Sequence, residues 1–314
     1  MTNASIVYFQ SPEFLSRQTE LQPFYDKFTP LLTGIFPQSQ IGFQSAYGIF
    51  DYLNVGYIHN KTIYSNITSD DLFQLRTLAD STELAQVYNT SSPNASIGGK
   101  ALSGAILTAL NSTASGTNKN LKVTYYATSY SVFQAFWGIS GLLEASPNFY
   151  GLPDYASTMA IELRRPVNST GLNDLVVRFG FRNGSLPTTE LITYPMFGRS
   201  QSEGDMPWSS FEAAMAAQSI TTPKDWCNTC VANLIFCAAY STNSGLEATG
   251  TNINGQNRPS VSPVAAGFIG AGVTIAIVAA VEAVGALVWY RRRRSALGEK
   301  FTGSETSSDR RVSA

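Results

Sequence analysis

The residue types that carry chemistry are sparse in this chain, so the few present are weighed first. His59 is the only histidine among 314 residues. One imidazole with no assigned partner makes neither a catalytic dyad nor a metal site, so His59 is expected to be a partly buried packing residue. No Gly-x-Ser-x-Gly elbow, Walker loop or His-Glu-x-x-His pair occurs. Gly270-Ala271-Gly272 lacks the third glycine of a dinucleotide loop and sits in an apolar run, which suits membrane packing. Asp70 and Asp71 stand where a helix should begin and read as first-turn acids facing the helix dipole. Cys227, Cys230 and Cys237 are clustered and odd in number. Outside the cell this predicts one local disulfide plus a thiol whose partner lies elsewhere. The Cys-x-x-Cys pair has no second pair and no nearby histidine, so no zinc is expected, and no cofactor of any other kind.

The elements that would hold such residues are organised around a hydrophobic run. Val264 to Trp289 contains one ionisable residue, Glu282. At about 1.5 Å per residue it reaches about 40 Å, enough to cross a hydrocarbon core of about 30 Å with tilt. Trp289 and Tyr290 suit the interface, and Arg291-Arg292-Arg293-Arg294 follow. Positive charge stays cytosolic, which places everything before the span outside, at the cell surface or in the secretory or vacuolar pathway. With net charge -1 and 14% charged residues, this is the one dense basic run. Topology explains it, so nothing points to nucleic acid. All eight Asn-x-Ser/Thr sequons precede the span: Asn3, Asn60, Asn66, Asn89, Asn94, Asn111, Asn168 and Asn183. They are glycosylation candidates in that compartment. The expected organisation is an ectodomain over 1–240, a polar Ser/Thr/Asn/Gly stalk over 241–263, a transmembrane helix over 264–290 and a basic, disordered cytoplasmic tail over 291–314. Met1 to Gln10 has no charged n-region and no apolar h-region. The expectation is therefore that the chain lacks its natural amino terminus.

Within the ectodomain, Ile6 to Phe9 is a short β-prone run. Ser11-Pro12-Glu13 reads as a helix start, with Ser as cap, Pro in the first turn and an acid against the dipole. Pro23 and Pro30 should kink or break that helix. Asp70 to Val87 and Lys100 to Leu110 are expected helices, and Asn111 to Asn120 a polar loop. Leu121 to Tyr126 alternates in character and predicts a strand. It runs into Ala127-Thr128-Ser129 and then a helix burying Val132, Phe133, Phe136, Trp137 and Leu143. Met159 to Leu163 and Leu175 to Phe181 predict further strands, the second turning at Asn183-Gly184. Phe211 to Ala217 predicts a short helix. The interleaving makes the class α/β.

Several segments resemble the histidine acid phosphatase family, which has the phosphoglycerate-mutase-like fold. Val123-Thr124-Tyr125-Tyr126-Ala127 followed by a helix is similar to the strand that delivers the family's His-Asp pair. Pro153-Asp154-Tyr155-Ala156-Ser157, then Glu162-Leu163, resembles its Pro-x-Tyr-Ala-Ser…Glu-Leu segment. Val7-Tyr8-Phe9-Gln10-Ser11 and Gly34-Ile35-Phe36-Pro37 look like its second strand and the following helix end. Gly98-Gly99-Lys100-Ala101-Leu102 looks like its Gly-x-x-Leu helix start. The likeness covers roughly Ser5 to Ala217. It implies an incomplete three-layer sandwich with a helical cap over about 38–120, a parallel sheet containing Leu121 to Ala127 as a buried strand, and loss of the first strand.

The family's chemistry uses a histidine nucleophile, arginines that clamp phosphate and an Asp that protonates the leaving oxygen. Here the resemblance puts Gln10 at the position of a clamp arginine and Thr128-Ser129 at the His-Asp pair. Arg17 stands near the lost arginine but offset in register. The Arg-His-Gly motif of the first strand is absent. The resemblance therefore implies a membrane-anchored, glycosylated phosphatase-like protein without turnover, with phosphate or a phosphoester as a weak ligand. The alternatives are a phosphomonoester hydrolase, once the first strand is restored, and a structural cell-surface glycoprotein.

Overall fold

A computed structural model describes residues 7–118, 120–167, 169, 171–230 and 235–240. The stalk, the span, Glu282, the arginine run, Asn3 and Asn168 lie outside the described residues. Among those described, no helix is long and apolar enough to cross a membrane.

Local capping chemistry sets several helix boundaries. Ser11 Oγ accepts from the Phe14 N–H at 3.2 Å, and Pro12 opens α1 (Pro12–Asp26). The expected break at Pro23 does not occur there, since α1 continues to Asp26. The chain breaks after that, and Pro30 takes the first turn of the short helix Thr29–Leu32. α2 (Ala46–His59) and α3 (Ser69–Val87) follow. Thr68 and Asp71 form a reciprocal cap on α3: Thr68 Oγ1 accepts from the Asp71 N–H at 3.1 Å and Asp71 Oδ2 from the Thr68 N–H at 3.2 Å. This satisfies two otherwise orphaned donors. α4 (Ile97–Ala114) overruns the expected loop start at Asn111. α5 (Tyr130–Ile139), α6 (Trp208–Gln218) and α7 (Pro223–Cys230) complete the longer helices.

The sheet contains β1 (Thr158–Arg164), β2 (Val176–Arg182), β3 (Ile192–Tyr194) and β4 (Asp205–Pro207). The expected strands over Met159–Leu163 and Leu175–Phe181 are thus present, and Gly184 takes a left-handed φ of +85° just past the second. β1 pairs with β2 along its full length, Thr158 opposite Arg182 and Arg164 opposite Val176. β3 and β4 share the other side of β2, with Phe179 opposite Tyr194 and Val177 opposite Met206. Every pairing is antiparallel, which corrects the expected parallel sheet. The four strands follow one another without a long helix between them, and neighbours joined by short connections run antiparallel.

Two further expectations are overturned. Leu121 to Ala127 is not a buried strand: Leu121 is half-buried, residues 122–129 are exposed, and none has a ladder partner among the described residues. A strand needs a neighbour for its backbone groups, and alternation alone supplies none. The β-prone Val7 to Phe9 forms a helical turn. Tyr8 and Phe9 both pack on Phe14, with ring centroids 5.2 and 5.0 Å away, and this local aromatic packing outweighs the β preference.

Two hydrophobic cores result. One is helical, built from α1, α2 and α3 around Tyr25, Phe43, Ile49 and Leu53. The other joins α4, α5 and α6 to the sheet around Phe136, Trp137, Phe149 and Phe179. α4, expected in a cap with α2 and α3, therefore belongs to the sheet-side core, where it packs on α5 and α6. Its approach to α5 is close: a Cβ on Gly99 would lie 2.6 Å from the backbone of Ala135 and Phe136.

Candidate functional site

A cleft of about 1340 Å³ opens between the helices and the sheet edge. Its walls are continuous stretches of chain, Leu121 to Tyr130 on one side and Leu152 to Arg164 on another. α4 contributes Leu102, Ile106 and Leu110, and α2 and α3 contribute Tyr47, Phe50, Asp51 and Arg76. Asp154 and Tyr155 turn into β1 through Ala156, a non-glycine residue with φ of 62°.

Two polar constellations line or flank this cleft. In the first, the Arg76 guanidinium donates to the Leu152 carbonyl at 2.7 Å and pairs with Asp154 at 3.1 Å. Asp80, one turn along α3, accepts from the Leu152 N–H at 2.8 Å and lies 3.9 Å from Arg76. Burial pushes the Asp80 carboxyl above its ordinary range, against the Leu152 and Arg76 contacts that lower it. These bonds clamp the loop before β1 to α3. In the second, the Tyr130 hydroxyl donates to Glu83 Oε2 at 2.9 Å. Tyr47 lies 5.0 Å from the Tyr130 ring, and the Tyr155 hydroxyl donates to Asp51 at 3.2 Å. Burial pushes Glu83 up despite the bonds from Tyr130 and Gln86. Burial and the nearby Asp51 push the Tyr47 phenol up to about 12, and burial with Glu83 raises Tyr130 well beyond the usual range. The Tyr47 and Tyr130 phenols therefore stay protonated at neutral pH.

The site residues expected from the sequence are only partly brought together. Thr128 and Ser129 line the cleft side by side. Ser129 precedes α5 but makes no side-chain cap, and its hydroxyl bonds Ser131 at 2.7 Å. Gln10 sits in an exposed turn and is absent from the cleft wall. Arg17 is also elsewhere: it donates to Ser81 Oγ at 2.7 Å and lies over the Phe43 ring at 4.8 Å, a packing role. His59 ends α2 and is exposed, not partly buried as expected. A helix end bordered by polar Asn60 and Lys61 buries little. Asp70 and Asp71 occupy the first turn of α3. Cys227 is bonded to Cys237, and Cys230 is a half-buried free thiol. Among the described residues, no three His, Cys, Asp or Glu side chains are grouped to hold a metal.

The sequons have distinct settings. Asn60 caps the helix Lys61–Asn66 through its side chain, and Asn66 donates back to Thr62. Asn89 accepts from the Ser91 N–H at 2.8 Å. Asn94 and Asn111 are exposed. Asn183 Oδ1 accepts from the Asp154 N–H and the Ser157 hydroxyl at 2.8 and 2.9 Å, bracing the loop beside the cleft.

Arg76, Glu83 and Tyr130 carry no motif. Arg76 meets its acceptor 76 residues away, so no spacing within either segment announces the pair. Compared with known proteins, the chain matches no family model and no curated sequence.

Proposed function

We propose that the chain is a membrane-anchored, glycosylated, phosphatase-like binding module without turnover, its ectodomain outside the membrane. The cleft wall supports this reading. Where the family resemblance calls for a histidine and an acid, the wall carries Thr128 and Ser129, and the one histidine lies off the cleft. A phosphohistidine route needs a nucleophile, a clamp and a proton donor. Two hydroxyls without an adjacent base supply none of these at neutral pH. The support comes from the cleft and not from the sheet, whose antiparallel pairing departs from the arrangement the resemblance implied. The free N–H groups of α5 beside Ser129 suit a weakly held phosphate or phosphoester.

The test is a chromogenic phosphomonoester assay on the full chain from acid to neutral pH, with inorganic phosphate binding measured in parallel. No turnover above background and weak phosphate binding are expected. Turnover that disappears in Ser129→Ala overturns the reading. The outside placement is tested by protease protection in sealed vesicles, where digestion of the ectodomain from the cytosolic face would refute it.

A further inference from the structure

β1 meets the cleft along its edge. Successive side chains of a strand point to opposite faces. A cavity against a sheet face therefore touches alternate residues, whereas one against an edge touches all of them. All seven residues of β1 line the cleft. On its far side β1 pairs with β2 throughout, and on the cleft side it has no partner among the described residues. Across the cleft, residues 121–128 belong to no helix or strand and make no backbone hydrogen bond among the described residues. Two stretches of backbone without ladder partners among the described residues thus border one slot.

The volume of the cleft suits a single strand. Seven residues at about 3.3 Å rise, about 4.8 Å strand spacing and about 10 Å sheet thickness occupy roughly 1100 Å³. The cleft holds about 1340 Å³. Its wall charges balance, Arg76, Lys122 and Arg164 against Asp51, Asp154 and Glu162, and most are paired: Arg76 with Asp154 at 3.1 Å, and Arg164 with Asp205 at 3.5 Å and Glu162 at 3.9 Å. Leu102, Ile106, Leu110 and Phe133 add apolar lining. A charged occupant gains little here, while an uncharged strand with alternate apolar residues satisfies both edges and the apolar wall.

We infer that the cleft is a β-strand acceptor: another polypeptide inserts an extended, uncharged segment between β1 and Leu121–Ala127, hydrogen-bonding on both sides. This rests on reading the cleft as a binding site, and not on the absence of turnover.

The probe is a capped Val-Thr-Val-Thr-Val-Thr-Val peptide, flanked by lysines for solubility, added to the full chain. The readout is amide hydrogen exchange. Exchange should slow at least about tenfold in both 121–127 and 158–164, and a peptide N-methylated at alternate residues should have no effect, because each donor it loses is a ladder bond. Val123→Pro removes a donor that has no partner among the described residues, at a position whose side chain is 80% exposed. Its thermal midpoint should match the parent, with peptide affinity several-fold weaker. Unchanged exchange, or slowing in one segment alone, overturns the inference. So does protection of both segments before peptide is added: concentration-dependent protection would mean a second copy fills the slot, and concentration-independent protection would mean the chain's own residues do. Phosphomonoester turnover in the same preparation would refute the non-catalytic reading and leave strand insertion standing.

Discussion

Val176–Arg182 and Leu121–Ala127 are both seven-residue stretches rich in β-branched and aromatic residues, and they end in opposite states. The first lies at the centre of the sheet, paired with three strands, with Phe179 at 1% exposure. The second has no strand partner among the described residues, and Val123 and Tyr125 are 80% and 84% exposed. Similar local preference therefore does not decide the outcome. β preference describes fitness for a pleated, half-buried surface, and that surface must be provided by other segments. β2 has β1 beside it and α5 and Phe149 beneath it, where Phe179 meets the rings of Phe136 and Phe149 at 6.5 and 6.2 Å. Among the described residues, Leu121–Ala127 has a single side-chain hydrogen bond, the Tyr126 hydroxyl to the Ala105 carbonyl at 3.2 Å.

The most direct way to break the comparison is to truncate one side chain in each stretch. Phe179→Ala should cost about 3–5 kcal/mol, the usual range for a buried phenylalanine, and lower the thermal midpoint sharply. Val123→Ala should stay within about 0.5 kcal/mol, as surface changes do. Equal losses by denaturant titration would show that Leu121–Ala127 is packed after all.

A second change asks what holds the end of the unpaired stretch. If α5 is positioned by α4 and not by a strand before it, Gly99 is the key contact, because any Cβ there meets α5 backbone that cannot swing aside. Gly99→Ala should destabilise by about 1–3 kcal/mol through overpacking. It should also speed amide exchange at the start of α5. A neutral result would mean that α5 is held elsewhere.

The smallest effect concerns the other anchor of α5, the bond from Tyr130 to Glu83. Burial raises the Glu83 carboxyl, so the fold favours its protonated form. That contribution is fully present below its ordinary value of 4.5 and is lost as pH rises through the folded value. Glu83→Gln keeps an acceptor for Tyr130 without a buried charge. The variant should melt slightly higher than the parent at pH 7, and the gap should close as the pH falls to about 4. A lower midpoint for the variant at pH 7 would mean that the charged bond outweighs burial.

Local physical chemistry made several boundaries legible in the sequence. Ser11 and Pro12 announced the start of α1, and Asp70-Asp71 announced that of α3, because a cap and a dipole act within one turn. β1 and β2 were also legible, as was the helix after Ser129, from apolar residues that recur at the period of each element. The expected burial of His59 did not hold, since it ends α2 exposed. What only the tertiary structure decided is everything that depends on a partner distant in the chain. The antiparallel pairing, the loss of the expected strand at Leu121–Ala127 and the helical turn at Val7–Phe9 are of this kind. So are the pairing of Cys227 with Cys237 and the meeting of Arg76 with Leu152 and Asp154. A backbone hydrogen bond or ion pair between remote segments leaves no period and no cap in either one. Alternation showed that Leu121–Ala127 was suited to a strand, but a strand exists only where a second backbone lies beside it.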